Sequence, residues 1–119
     1  MKIEMFRDII AQRINVEEIS HGEWTEGIDE CLKKEIELLA EDVDSTIEFL
    51  KNDCTATEYY WISEVFEDVV DAVPNRDLVQ CYKELKDKFP EEFTTYNIAG
   101  VIENAEAIIR WEDEHGKKD

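Results

Sequence analysis

The stretch from Ile28 to Cys54 places Ile28, Leu32, Ile36, Leu39, Val43, Ile47, Leu50 and Cys54 at successive intervals of 4, 4, 3, 4, 4, 3 and 4 residues. Eleven residues in three turns lies close to the pitch of a straight α-helix, so one side stays apolar for about seven turns. The pattern predicts one long helix over 26–54. Division near Asp42 to Ser45 is the alternative, because Asp and Ser favour caps over helix interiors.

Helical spacing recurs along the rest of the chain, and no segment alternates cleanly with period two. A first helix is expected from Ile3 to Ile19, with Phe6, Ile9, Ile10, Arg13, Ile14 and Val16 toward its buried side. The run "SHGEWTEG" breaks the pattern, with Thr25 as the cap of the second helix. Thr55 and Glu58 have capping-box spacing ahead of a third helix, whose core line is Ile62, Phe66, Val69 and Val73. Pro74 ends that helix and Asn75 caps a fourth, which buries Leu78, Tyr82, Leu85 and Phe89 and closes at Pro90. "PEEFTTYN" reads as a short turn or helical start. Asn97 opens the last helix, with Ile98, Val101, Ile102, Ala105, Ile108 and Ile109 inward, and "EHGKKD" frays. The expected fold is all-α, a single domain over 1–119. It has about five antiparallel helices, in a compact bundle or a short stack of helix pairs.

Charge restricts the function. Acids outnumber bases 31 to 13, for a net charge of −18, far beyond what solubility requires. Direct binding to nucleic acid or to an anionic membrane is disfavoured, because both need Lys and Arg. A basic protein is the natural partner. Cys31, Cys54 and Cys81 are an odd, widely spaced set, which argues against a disulfide framework and suits a reducing cytosol. The start "MKIEMFRDII" is broken by charges and is not expected to act as a signal peptide, and no run is long enough to span a membrane. The expected location is cytoplasmic.

Catalytic and metal motifs are missing. His21 and His115 have no partner at ligand spacing, and there is no CxxC, HExxH or GxSxG. Gly22, Gly27, Gly100 and Gly116 stand alone, so no phosphate loop is expected. With 31 acids, close carboxylate pairs are inevitable and uninformative. The chain is expected to be no enzyme and to use no cofactor.

The acids are unevenly spread. Residues 21–60 hold 12 acids and 3 bases. At 100° per residue, Glu30, Glu37, Glu41, Asp44 and Glu48 form a strip opposite the apolar line of the long helix. On the third helix Tyr60, Glu64, Glu67 and Asp71 fall opposite Ile62, Phe66 and Val69, with Trp61 and Asp68 on the flank and Tyr59 toward the core. A solvated back face, and Tyr60 packed under a neighbouring helix, are the bland alternatives. The functional alternative is a partner-binding surface of Tyr60, Trp61, Glu64, Glu67, Asp68, Asp71, Glu37, Glu41, Asp44 and Glu48, since Tyr and Trp dominate interface hot spots. Trp24 and Trp111 are expected to be partly in the core.

The segments "EYYWISEVFEDVVDAVPNRDLVQCYKELKDKFPEEF" and "YNIAGVIENAEAIIRW" resemble the small acidic helical immunity proteins of bacterial toxin–immunity systems, of the contact-dependent inhibition type. The likeness is one of type: small size, strong acidity, a helical build, and an aromatic–acidic helix before a Pro-terminated pair. It implies a cytoplasmic antidote, made beside its toxin, that binds and blocks the toxin's active domain. It assigns no individual residue. A nuclease toxin would present Lys and Arg, which an acidic surface can occupy. The rival readings are a nucleic-acid mimic that inhibits a DNA-binding or defence protein, and a small acidic adaptor subunit.

Overall fold

The computed structural model describes residues 2–20 and 25–115, and among them the secondary structure is entirely helical. In chain order the helices are α1 (Ile3–Ser20), α2 (Thr25–Glu41), α3 (Val43–Asn52), α4 (Ala56–Ser63), α5 (Phe66–Ala72), α6 (Arg76–Glu84), α7 (Pro90–Thr95) and α8 (Ile98–His115), with a 3-10 turn at Leu85–Asp87. The expectations for His21, Trp24 and residues 116–119 lie outside the described residues, whereas Glu114 and His115, expected to fray, complete the last helix.

The all-α expectation holds, but the described residues form eight helices rather than about five. Two expected helices divide, and the segment read as a short turn or helical start forms a helix. The long helix 26–54 breaks at Asp42, whose extended backbone (φ −144°, ψ 91°) lets its carboxylate accept the Ser45 N–H at 3.3 Å. Thr46 secures the corner by donating its hydroxyl to the Leu39 carbonyl at 2.8 Å, fully buried. The local cap chemistry of Asp thus overrides an apolar line that runs straight through it.

The third expected helix divides at Val65 (φ −120°, ψ 0°). There the ladder tightens, Glu64 N–H to Trp61 and Val65 N–H to Ile62, before α5 resumes with Val69 N–H to Val65. The change of direction buries Val65 together with Phe66. Elsewhere the expected punctuation forms. Thr55 and Glu58 make the capping box, Asn75 Oδ1 accepts from Leu78 N–H at 2.9 Å, and α5 ends before Pro74. Thr25 is the first residue of α2. Pro90 does not close α6, which ends at Glu84. It is the first residue of α7 instead, where a missing N–H costs nothing.

The packing joins helices far apart in sequence. Besides the α1–α2 contact, α2 packs on α5, α5 on α8, α8 on α6 and α7, and α6 on α3. The body measures 47 × 31 × 25 Å. An aromatic group fills its centre: the Phe66 and Tyr82 rings stack 4.0 Å apart, Tyr59 lies 4.8 Å from Tyr82, and the Tyr82 hydroxyl donates to the Tyr59 carbonyl at 3.0 Å. The expected core lines of α4, α5, α6 and α8 are buried or packed against the core. Cys31, Cys54 and Cys81 are buried free thiols, and burial pushes Cys54 up to about 12.

α2 behaves differently. Ile28, Leu32 and Ile36 are only half-buried, while Cys31, Glu35 and Leu38 are fully buried. Up to Glu35 the buried line lies about one residue round the helix from the apolar line, and at Leu38 and Leu39 both are buried, because α2 packs against α1 on one side and α5 on the other. The displacement carries a carboxylate into the core.

Candidate protein-binding surface

Three features stand out beyond the central core: a buried charge cluster, an aromatic ladder and an acidic groove. The cluster forms where α1, α2 and the α4–α5 junction meet. Arg13, 6% exposed, reaches over from α1. Its Nη1 donates to Glu17 Oε1 at 3.0 Å, and its Nη2 donates to both oxygens of Glu64 at 3.3 and 3.0 Å. Burial pushes the Glu64 carboxyl upward against Arg13's opposite pull. Residue 64 has an open backbone, but its side chain is only 25% exposed.

Glu35 lies beside this group, 0% exposed, with both carboxylate oxygens and the neighbouring Arg13 Nε lacking hydrogen-bond partners. Burial, then the charge of Glu64, pushes Glu35 up to about 8, with Arg13 opposing. It is therefore mostly protonated at neutral pH, the usual escape for a carboxyl that cannot be solvated.

The ladder starts from the same arginine. The Arg13 guanidinium lies 5.2 Å from the Trp61 ring, Trp61 lies 4.9 Å from Tyr60, and Tyr60 lies 4.1 Å from Tyr96 at a tilt of 33°. Of the two readings of Tyr60, packing under a neighbouring helix is the one that holds. The ring is half-buried, held between Trp61 and Tyr96, because α7 packs on α4. The exposed ring is Tyr96, at 47%. Trp111, expected to be partly core, is exposed instead and stacks on His115 in the last turn of α8.

The expected strip of Tyr60, Glu64, Glu67 and Asp71 does not form one face. The break at Val65 turns α5 relative to α4, so a straight-helix projection across it fails. Tyr60 and Glu64 face the ladder and Arg13, whereas Glu67 accepts from Asn104 of α8 at 3.0 Å. Asp68 and Asp71 are exposed, with no ion pair among the described residues.

The strip on the long helix is also divided by the break at Asp42. Glu37 and Glu41 stay on α2, and Glu41 approaches Lys2 at 3.8 Å. Asp44 and Glu48 lie on α3, where they line a groove with Asp77 and Glu84 of α6, Lys51 at one side, and Ile47 and Cys81 among its lining. Four carboxylates thus meet one ammonium. None of the four has a cationic partner among the described residues: Glu48 accepts from Asn52 at 3.3 Å and Glu84 from Gln80 at 3.1 Å. Elsewhere Arg7 is taken by Glu58 at 2.6 Å, Lys83 by Glu106 at 3.1 Å, and Arg76 by Asp113.

Sequence reasoning passed over Asp77, Glu84, Glu17, Glu35 and Tyr96. Asp77 and Glu84 belong to a helix chosen for its apolar line, and only the α3–α6 packing sets them opposite Asp44 and Glu48. The signal for Glu35 was its position four residues after Cys31 and three before Leu38, a helical line that a carboxylate made easy to discount. Among the described residues no group of three His, Cys, Asp or Glu side chains could hold a metal, and no helix is long and apolar enough to cross a membrane. No protein-family model matches the chain, and no solved structure matches it.

Proposed function

We propose that this chain is an immunity protein that binds and blocks a basic toxin domain, a nuclease being the natural target, through acidic and aromatic surface. It acts by occupation and carries out no reaction of its own. The observation that carries the reading is the α3–α6 groove, where Asp44, Glu48, Asp77 and Glu84 stand without ion-paired cations among the described residues. Clustering like charge across two packed helices destabilises the folded chain unless a partner offsets it. In exchange it steers a positively charged protein into contact, raising association to about 10⁸–10⁹ M⁻¹s⁻¹ at low salt. Rapid capture and slow release are what an antidote requires, and the aromatic surface at Tyr96 and Tyr60 suits the second need. The resemblance in type to acidic helical immunity proteins points the same way.

The test is co-production with a toxin domain encoded next to this chain's gene. Protected growth and a complex weakened by salt are expected. Growth arrest without any complex refutes the assignment.

The facing carboxylates of α3 and α6 also favour a second reading, mimicry of a nucleic-acid backbone. Asp44 and Glu48 are separated by about 6 Å of helix rise, and Asp77 and Glu84 by about 10 Å, spacings on the scale of successive phosphates. Partner range separates the two: a mimic also binds unrelated nucleic-acid-binding proteins, in competition with duplex DNA or RNA, whereas an antidote binds its own toxin domain alone.

A further inference from the structure

We propose that the open face of Tyr96 is a seat for an arginine side chain of the protein partner, which makes Tyr96 the anchor of the binding surface. This rests on the reading of the chain as a binder of a basic protein and adds both a residue and a chemistry to it.

The placement begins in the backbone. α7 ends at Thr95, and Tyr96 comes next with its N–H still bonded to the Glu92 carbonyl at 3.1 Å. Asn97 then adopts φ 53°, and it alone among the described non-glycine residues has a positive φ. That region strains L-residues, and Asn tolerates it better than most. The Asn97 side chain lies over Gly100, where an added Cβ would come within 3.1 Å of Asn97 Nδ2. Such strain persists only where the surroundings hold it, and it gathers at sites of binding. Here it accompanies the reversal between α7 and α8 that leaves the Tyr96 ring against Tyr60.

The ladder itself shows what its ends accept. At the inner end Arg13 lies over Trp61 and is flanked by Glu17 and Glu64, so a guanidinium is held by a ring and two carboxylates. At the outer end Tyr96 has one face on Tyr60 and remains 47% exposed. Glu92 stands one turn before it on the same side of α7, and among the described residues no cation lies over the Tyr96 ring. A ring backed by another ring and bordered by carboxylate offers a negative face to solvent. A planar, weakly hydrated guanidinium fits that face better than a compact ammonium.

Nona-arginine and nona-lysine peptides of equal charge serve as probes, followed by calorimetry and by the aromatic NMR signals of Tyr96 and Tyr60. The arginine peptide is expected to bind several-fold more tightly and to shift both rings. Tyr96→Phe should keep that preference. Tyr96→Leu, which retains apolar cover over Tyr60 but removes the π face, should weaken arginine binding by about 3- to 30-fold. Equal binding of the two peptides by the unaltered protein overturns the proposal without any variant having to fold. So does a Tyr96→Leu protein that is folded by circular dichroism and binds as tightly as the parent. Groove reversals at Asp44 and Asp77 that abolish capture of the toxin, with Tyr96→Leu neutral, also overturn the seat and leave the proposed function standing. An intact arginine preference in a chain that gives no protection supports the seat and removes the immunity reading alone.

Discussion

Replacing Glu35 by glutamine tests the account of the buried cluster most directly. Glu35 is 0% exposed, and neither carboxylate oxygen is bonded. The groups facing it are Arg13 from α1, Cys31 on its own helix, and Glu64 at the α4–α5 junction. Its proton is held up to about pH 8 in the folded protein, against an ordinary value of 4.5. Between those two pH values the folded protein keeps a proton that the unfolded chain releases, so stability falls as pH rises. The slope approaches about 1.4 kcal/mol per pH unit. Integrated from acid, the loss from this one group is about 3 kcal/mol at pH 7 and about 5 kcal/mol at pH 9. The sign is opposite to that of a carboxylate stabilised by an ion pair. Glutamine has nearly the same shape and no titration, and the cost of burying its amide is the same at every pH. Urea unfolding of both proteins at pH 5, 7 and 9 reads the difference, and the alkaline ionisation of cysteines and tyrosines cancels between them. The variant should gain on the parent by about 2 kcal/mol from pH 5 to 7 and by about 1–2 kcal/mol more by pH 9. A difference that stays flat with pH refutes the reasoning, because Glu35 would then be ionised or solvated in the folded protein.

Arg13→Met leaves Glu64 and Glu17 without their shared cation in a partly dry site, and should cost about 3–5 kcal/mol in chemical denaturation. Asp42→Ala removes the cap of α3 and should cost about 1 kcal/mol. Its signature is faster hydrogen exchange in the first turn of α3, with the middle of α2 unchanged. Combined Asp44→Lys and Asp77→Lys reversal should slow association with the basic partner at least tenfold at low ionic strength, with little effect near 1 M salt, as measured by stopped-flow. Reversal at Glu64 is a poorer probe of binding, since it also frees Arg13, and its thermal unfolding should show a clear loss of stability.

The helical class, the capping box at Thr55 and Glu58, the cap at Asn75 and most core lines are local properties, and they were legible as such. Each depends on side chains within one or two turns, where periodicity and cap chemistry act directly. The division at Asp42 was visible as a competing signal, because one carboxylate bonding to an N–H three residues on is a local event. Val65 was not visible. Nothing in its neighbours breaks a helix, and the bend comes from burying Val65 and Phe66 while Arg13 holds Glu64 from 51 residues away.

The amino-acid order alone determined that the chain is helical, that it is overwhelmingly acidic, and where several of its helices begin. These properties arise from spacing, charge count and capping, which act over a few ångströms of chain. Only the packing of distant helices decided which acids stand together, which aromatic ring meets solvent, and that Glu35 is sealed inside. A helix can be rotated by about one residue to satisfy two neighbours at once, and that rotation is a sum over contacts that no single stretch of sequence contains.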